Sequence, residues 1–94
     1  MMNEDDYKYT AYIIYCYDDL SWVKSNLIPK LESGLGLRLC IPHRDFELGT
    51  VFADNIVDHM NVSKTVLPIL SNNFSRNEWC LFQLAVARSK LSKE

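Results

Sequence analysis

Leu39-Cys40-Ile41-Pro42-His43-Arg44-Asp45-Phe46-Glu47-Leu48-Gly49 is a short apolar run that ends in proline, followed by a charged loop closed by glycine. This order predicts a buried strand, then a mixed-charge loop with one exposed aromatic, Phe46. An amphipathic helix follows, because Phe52, Ala53, Ile56, Val57 and Met60 recur at helical spacing. In open α/β sheets, loops at the carboxyl ends of strands are where binding happens.

The residues on either side repeat the alternation. Tyr9-Thr10-Ala11-Tyr12-Ile13-Ile14-Tyr15 is aromatic, β-branched and nearly continuous, as in a strand covered on both faces. Asp18 or Asp19 then caps a helix carrying Trp22, Val23, Leu27 and Leu31, which Pro29 kinks and Gly34 stops. Leu37 to Ile41 is the second strand and Thr65 to Leu70 the third. Ser75-Arg76-Asn77-Glu78 has the form of a capping box that opens a last helix through Trp79, Leu81, Phe82, Leu84 and Ala85. Trp22, Trp79 and Phe82 are read as core. The β-α-β-α-β-α order with short connections implies a parallel sheet with right-handed crossovers and helices on both faces. A flavodoxin-like winding with strand order 2-1-3 puts Tyr9 to Tyr15 in the middle. Pro68 then belongs to an edge strand with its missing donor turned away from the first strand, while Leu67 and Ile69 bond to the Ile13 region.

With 94 residues, 48% hydrophobic and 23% charged, the chain is one small domain or part of one. A domain of this size buries only about 60 to 65% of its unfolded surface. The formal charge of −2, with both signs interleaved, provides no basic stripe for nucleic acid or an anionic membrane. No apolar run approaches the ~20 residues of a membrane span, and the acidic start Met1-Met2-Asn3-Glu4-Asp5-Asp6 is unlike a signal peptide. The expected location is therefore cytoplasmic, with residues 1–8 as a linker. Cys16, Cys40 and Cys80 are odd in number, widely spaced and in apolar company, which predicts buried free thiols rather than disulfides or a metal site.

Three segments together resemble the TIR domain, the Toll/interleukin-1 receptor homology module. Tyr9 to Tyr15 resembles the family's first box, Arg44-Asp45-Phe46-Glu47-Leu48-Gly49 its second box or BB loop, and Phe74-Ser75-Arg76-Asn77-Glu78-Trp79-Cys80 the segment with its Ser-x-Trp-Cys signature. The flavour is that of animal Toll-like receptors and their adaptors. Thr10 replaces the usual Asp of the first box, and Leu48 stands where many receptors carry Pro, so this loop lacks a fixed φ. The third box and the final strands and helix are missing, and residues 9–94 are read as a partial TIR domain.

The resemblance implies an interaction module for innate-immune signalling that docks on other TIR domains through the BB loop, Arg44, Asp45, Phe46, Glu47, Leu48 and Gly49. Asp18, Asp19, Trp79 and Cys80 form a candidate secondary surface, and a homo-oligomer is compatible with it. A decoy that caps TIR assemblies is the alternative within binding function. The alternative from another class is an NAD-cleaving enzyme. In the enzymatic members a Glu of the third helix is catalytic; Gln83 holds that place here, and an amide is neither a general base nor a full negative charge. Asp18 and Asp19 resemble the metal-binding acids of receiver domains, but that chemistry needs an Asp after the third strand, where Leu70 is followed by Ser71. No catalytic residue, metal or cofactor is assigned.

Overall fold

The computed structural model describes residues 6–92. Strand β1 (Tyr9–Ile14) lies between β2 (Leu39–Cys40) and β3 (Ser63–Pro68), and both neighbours run parallel to it in the order β2-β1-β3. The register pairs Ala11 with Leu39 and Thr65, and Tyr12 with Cys40 and Val66. The parallel 2-1-3 sheet expected from the sequence is the one observed.

A strand's side chains alternate between its faces, and β1 uses this alternation to support two cores. On one face Tyr12, Ile14 and the following Cys16 pack with Ile56, Met60, Phe74, Cys80 and Ala87. On the other Ala11, Ile13 and Tyr15 pack with Val23, Leu39 and Ile41, covered by Leu20, Leu27, Ile28 and Leu31. Tyr12, Ile13 and Ile14 are fully buried, and each such side chain stabilises by about 1.5–3 kcal/mol relative to exposure.

Helix α1 (Leu20–Trp22) continues through two wider π-helical segments, Val23–Leu27 and Pro29–Gly34. Pro29 lacks an N–H and cannot serve the ordinary ladder, and here the backbone takes the wider winding at that point instead of a sharp kink. The stop is not Gly34, whose backbone is still helical. It is Gly36, at φ 70°, whose N–H bonds the Glu32 carbonyl at 3.0 Å while the Leu37 N–H bonds that of Leu31 at 2.9 Å. No side-chain cap forms at the start of α1; the Asp19 carboxylate accepts from the Ser71 hydroxyl instead.

Strand β2 is shorter than expected because Leu37 is spent on the end of α1 and Pro42 opens a helical turn, α2 (Pro42–Asp45). Helix α3 (Phe52–Asn61) leads within one residue into β3, which starts two residues earlier than the sequence suggested. The Val62 carbonyl accepts from the Lys8 and Tyr9 N–H groups, at 2.8 and 3.1 Å, and fixes that start. Lys90 Nζ donates to the Met60 and Ser63 carbonyls at 2.8 and 2.6 Å, at the junction of α3 and β3. At the other end of β3 the Ile69 N–H bonds the Ile14 carbonyl at 2.8 Å, so by alternation the Pro68 nitrogen is on the outer edge. The expected placement of proline holds. Of the expected linker, residues 1–5 lie outside the described residues; the Tyr7 and Lys8 carbonyls accept from the Arg38 guanidinium at 3.2 and 3.0 Å.

Helix α4 (Glu78–Ser92) departs from expectation twice. Its cap is Asn77, whose Oδ1 accepts from the Cys80 N–H at 3.0 Å, rather than Ser75, which lies in a 3-10 turn, Phe74–Arg76. Its buried stripe is Cys80, Gln83 and Ala87, with Leu84 half-buried beside them, which leaves Trp79 and Phe82 exposed. Trp22 on α1 is likewise exposed, so none of the three large aromatics expected in the core is there. Asn77→Ala is predicted to lower stability by about 1 kcal/mol while Ser75→Ala changes it little, as read from urea unfolding midpoints.

Candidate functional site

The segment after β2 is held at both ends, and its middle projects. At its start Arg44 reaches back to α1, with Nη1 and Nη2 on the two Glu32 carboxylate oxygens at 2.8 and 2.9 Å. The same guanidinium donates to the Leu39 carbonyl at 2.9 Å and to Asp45 at 2.9 and 3.0 Å. Asp45 Oδ2 accepts from the Ile41 N–H at 2.8 Å, and Glu32 Oε2 from the Leu39 N–H at 3.3 Å. Arg44 and Asp45, expected as partner-setting charges, are thus committed to joining α1, β2 and α2.

Phe46 is half-buried rather than exposed. Its ring lies 4.8 Å from His59, 5.5 Å from Phe52 and 6.2 Å from Tyr12, centroid to centroid. The far end of the loop is clamped by Asn55. Its Oδ1 accepts from the Glu47 N–H at 3.1 Å, and its Nδ2 donates to the carbonyls of Glu47 and Thr50 at 3.2 and 3.4 Å. Sequence reading missed Asn55; the signal was a short amide beside Ile56 on the buried stripe of α3. Between these anchors Leu48 is 100% exposed, and Gly49 takes φ 84°, which suits a residue without Cβ. Loop and α3 together enclose a cleft of about 280 Å³ that includes Phe46, Phe52 and Asn55 in its lining.

An aromatic ridge continues from the loop. Phe52 meets Trp79 edge-on at 4.6 Å and Trp79 meets Phe82 edge-on at 5.6 Å, with all three rings partly open to solvent. Trp79 is therefore a surface residue, as the secondary-surface reading requires. Cys80 is not: it is 1% exposed and faces the core. Asp18 is exposed, whereas Asp19 is half-buried and bonded to Ser71, the residue that stands where receiver chemistry would need an Asp.

Two polar contacts border the site. The Tyr15 hydroxyl accepts from the His43 backbone N–H at 3.3 Å and shares a hydrogen bond with His43 Nδ1 at 2.6 Å. Burial pushes the Tyr15 hydroxyl up to about 12 and, with Lys24 nearby, lowers His43. Gln83 lies in the core, 4% exposed, with Nε2 donating to the Trp79 carbonyl at 3.1 Å and Oε1 accepting from the Tyr12 hydroxyl. Among the described residues no cluster of three or more His, Cys, Asp or Glu could hold a metal.

The TIR domain family matches residues 8–93. The chain is 42% identical over 87 residues to Toll-like receptor 12 of Mus musculus, covering 88% of this chain and 10% of that protein. It is 37% identical over 90 residues to Toll-like receptor 2 of Cricetulus griseus, covering 95% and 12%. Among solved structures, the TIR domain of the Toll-related receptor TRR-2 of Hydra magnipapillata superposes with a TM-score of 0.83 at 32% identity, covering 87% of this chain and 65% of that one. The chain belongs to the TIR domain family. It spans about a tenth of the length of these curated relatives. Among the described residues no helix is long and apolar enough to cross a membrane.

The Arg44 hydrogen bonds hold the Glu32 carboxyl below its ordinary value. Its contribution is therefore full above the unfolded carboxylate pKa of about 4.3 and is lost as pH falls through the lower folded value. Arg44 is 45% exposed, which screens the pair and keeps the predicted cost of Glu32→Gln at pH 7 to about 1 kcal/mol. The difference between variant and wild type is expected to shrink as pH falls below the unfolded carboxylate value and to vanish once the folded carboxyl is protonated, measured by urea unfolding across the range.

Proposed function

We propose that this chain is a protein-interaction module of cytoplasmic innate-immune signalling that associates with other TIR domains through its BB loop. The observation that carries this reading is Leu48, wholly exposed between the anchors at Arg44 and Asn55. An apolar side chain held out on a braced loop loses little conformational entropy when it docks, and so favours binding. Leu48 and Glu47 supply the contact and its polarity. Arg44, Asp45 and Phe46 position them, while Gly49 permits the turn. The ridge of Phe52, Trp79 and Phe82 widens the apolar surface beside the loop and has the aromatic composition of interface hot spots. Asp18 adds charge at a separate exposed position, and Cys80 plays no part in contact.

Leu48→Asp is expected to weaken association with a Toll-like receptor TIR domain by more than ~1 kcal/mol and to leave the melting temperature unchanged. Phe46→Ala, by contrast, removes packing against Tyr12, Phe52 and His59 and is expected to cost about 2–3 kcal/mol of stability. Titration calorimetry and thermal unfolding on the same samples separate the two. Wild-type affinity in the Leu48→Asp variant would remove the loop from the interface.

The module reading also places Gln83 as a structural amide rather than a catalytic group. NAD incubated with the purified chain should release nicotinamide only at the background rate. Gln83→Glu replaces a satisfied donor by a buried carboxylate facing the Trp79 carbonyl, and is expected to destabilise by about 2 kcal/mol or more. Nicotinamide release that disappears in Gln83→Ala would establish the enzymatic reading instead.

A further inference from the structure

Cys16 lies two residues beyond the end of β1, and Cys80 lies in the first turn of α4. Although 64 positions apart in sequence, their Sγ atoms stand 3.1 Å from one another. Both are buried, at 2% and 1% exposure, in the same core cluster. A disulfide places its sulfurs about 2.05 Å apart, so closing the gap requires a movement of about one ångström. The backbone that must yield lies at the end of a strand and the start of a helix, where fewer ladder bonds resist than at mid-element. Cys40, the remaining cysteine, sits on β2 beside Tyr12.

We propose that Cys16 and Cys80 are an oxidation site, joined as an intramolecular disulfide by hydrogen peroxide. One of the two sulfurs, as its thiolate, attacks a peroxide oxygen and becomes sulfenic acid as hydroxide leaves. The other sulfur then attacks the sulfenic sulfur, and its proton leaves with the sulfenic hydroxyl as water. Overall two thiols lose two electrons and two protons, and one peroxide becomes two waters. Burial and the neighbouring Cys16 push the Cys80 thiol up to about 12, so its sulfur attacks only as its proton is lost. Burial also selects the oxidant, since peroxide is little larger than water. The product ties the root of α4, next to Trp79 of the aromatic ridge, to the end of the central strand. This inference is independent of the docking reading, because it concerns the covalent chemistry of the core.

The test uses the fully reduced chain, treated with hydrogen peroxide while folded. It is then denatured, labelled with N-ethylmaleimide and mapped without reductant. The expected result is a monomer lighter by two hydrogens, with one label on Cys40 and a linked Cys16–Cys80 peptide pair. Its melting temperature should rise by about 5 °C or more, as expected for closing a long loop. Cys16→Ser should abolish both the link and the rise, whereas Cys40→Ser should keep both. Three labelled thiols after treatment would overturn the proposal, as would a link through Cys40, links between molecules, or sulfinic acid on a single cysteine.

Discussion

The structure depends on one strand being buried on both faces. Every residue of β1 except Thr10 is buried, and its alternate side chains belong to separate cores, one under α1 and the other under α3 and α4. A one-residue slip of β1 would exchange these two sets, placing Tyr12 where Ala11 and Ile13 pack. The volumes differ too much for close packing to survive that exchange. Fixing the register of β1 therefore fixes β2 and β3 beside it, and with them the ends from which the connecting loops emerge.

Those ends explain why the loop after β2 is rigid at its roots. The Arg44 guanidinium satisfies a carbonyl of β2 and a carboxylate of α1, while Asp45 takes an N–H just beyond β2. Asn55 repeats this device from α3, using one amide for three backbone groups. Ordering groups costs free energy wherever it is done. Here that cost is met during folding, and the tip at Leu48 stands between two roots that are already ordered.

Sequence was most informative where a residue's environment had one solution. A continuous apolar run with aromatic and β-branched residues fits only a central strand, and Pro68 could only be accommodated with its nitrogen outward, as found. Faces of α4 were not legible. Trp79, Leu81, Phe82 and Leu84 surround the helix with apolar residues, and periodicity alone does not choose among them. The buried face is instead Cys80, Gln83 and Ala87, two small residues flanking an amide whose polar groups are paired with Tyr12 and the Trp79 carbonyl. The ends of helices misled for a related reason: Ser75 and Asn77 both suit a cap, as Gly34 and Gly36 both suit a stop, and only the surrounding geometry distinguishes neighbours two positions apart. In the loop, Arg44 is exposed, as a charged residue is expected to be, yet its guanidinium is fully engaged. Its partner Glu32 is distant in sequence, and no local pattern announces such a pair.

Pro68 has a consequence for how the sheet can grow. Residues of β3 that alternate with Ile69 direct their backbone groups away from β1, and Pro68 stands at the end of that row without a donor. A strand laid along this edge would find a ladder with its last rung missing. Its pairing would run in step with the first part of β3 and then have to diverge, so the edge sets the length of any neighbour it accepts and discourages an indefinitely repeated stack.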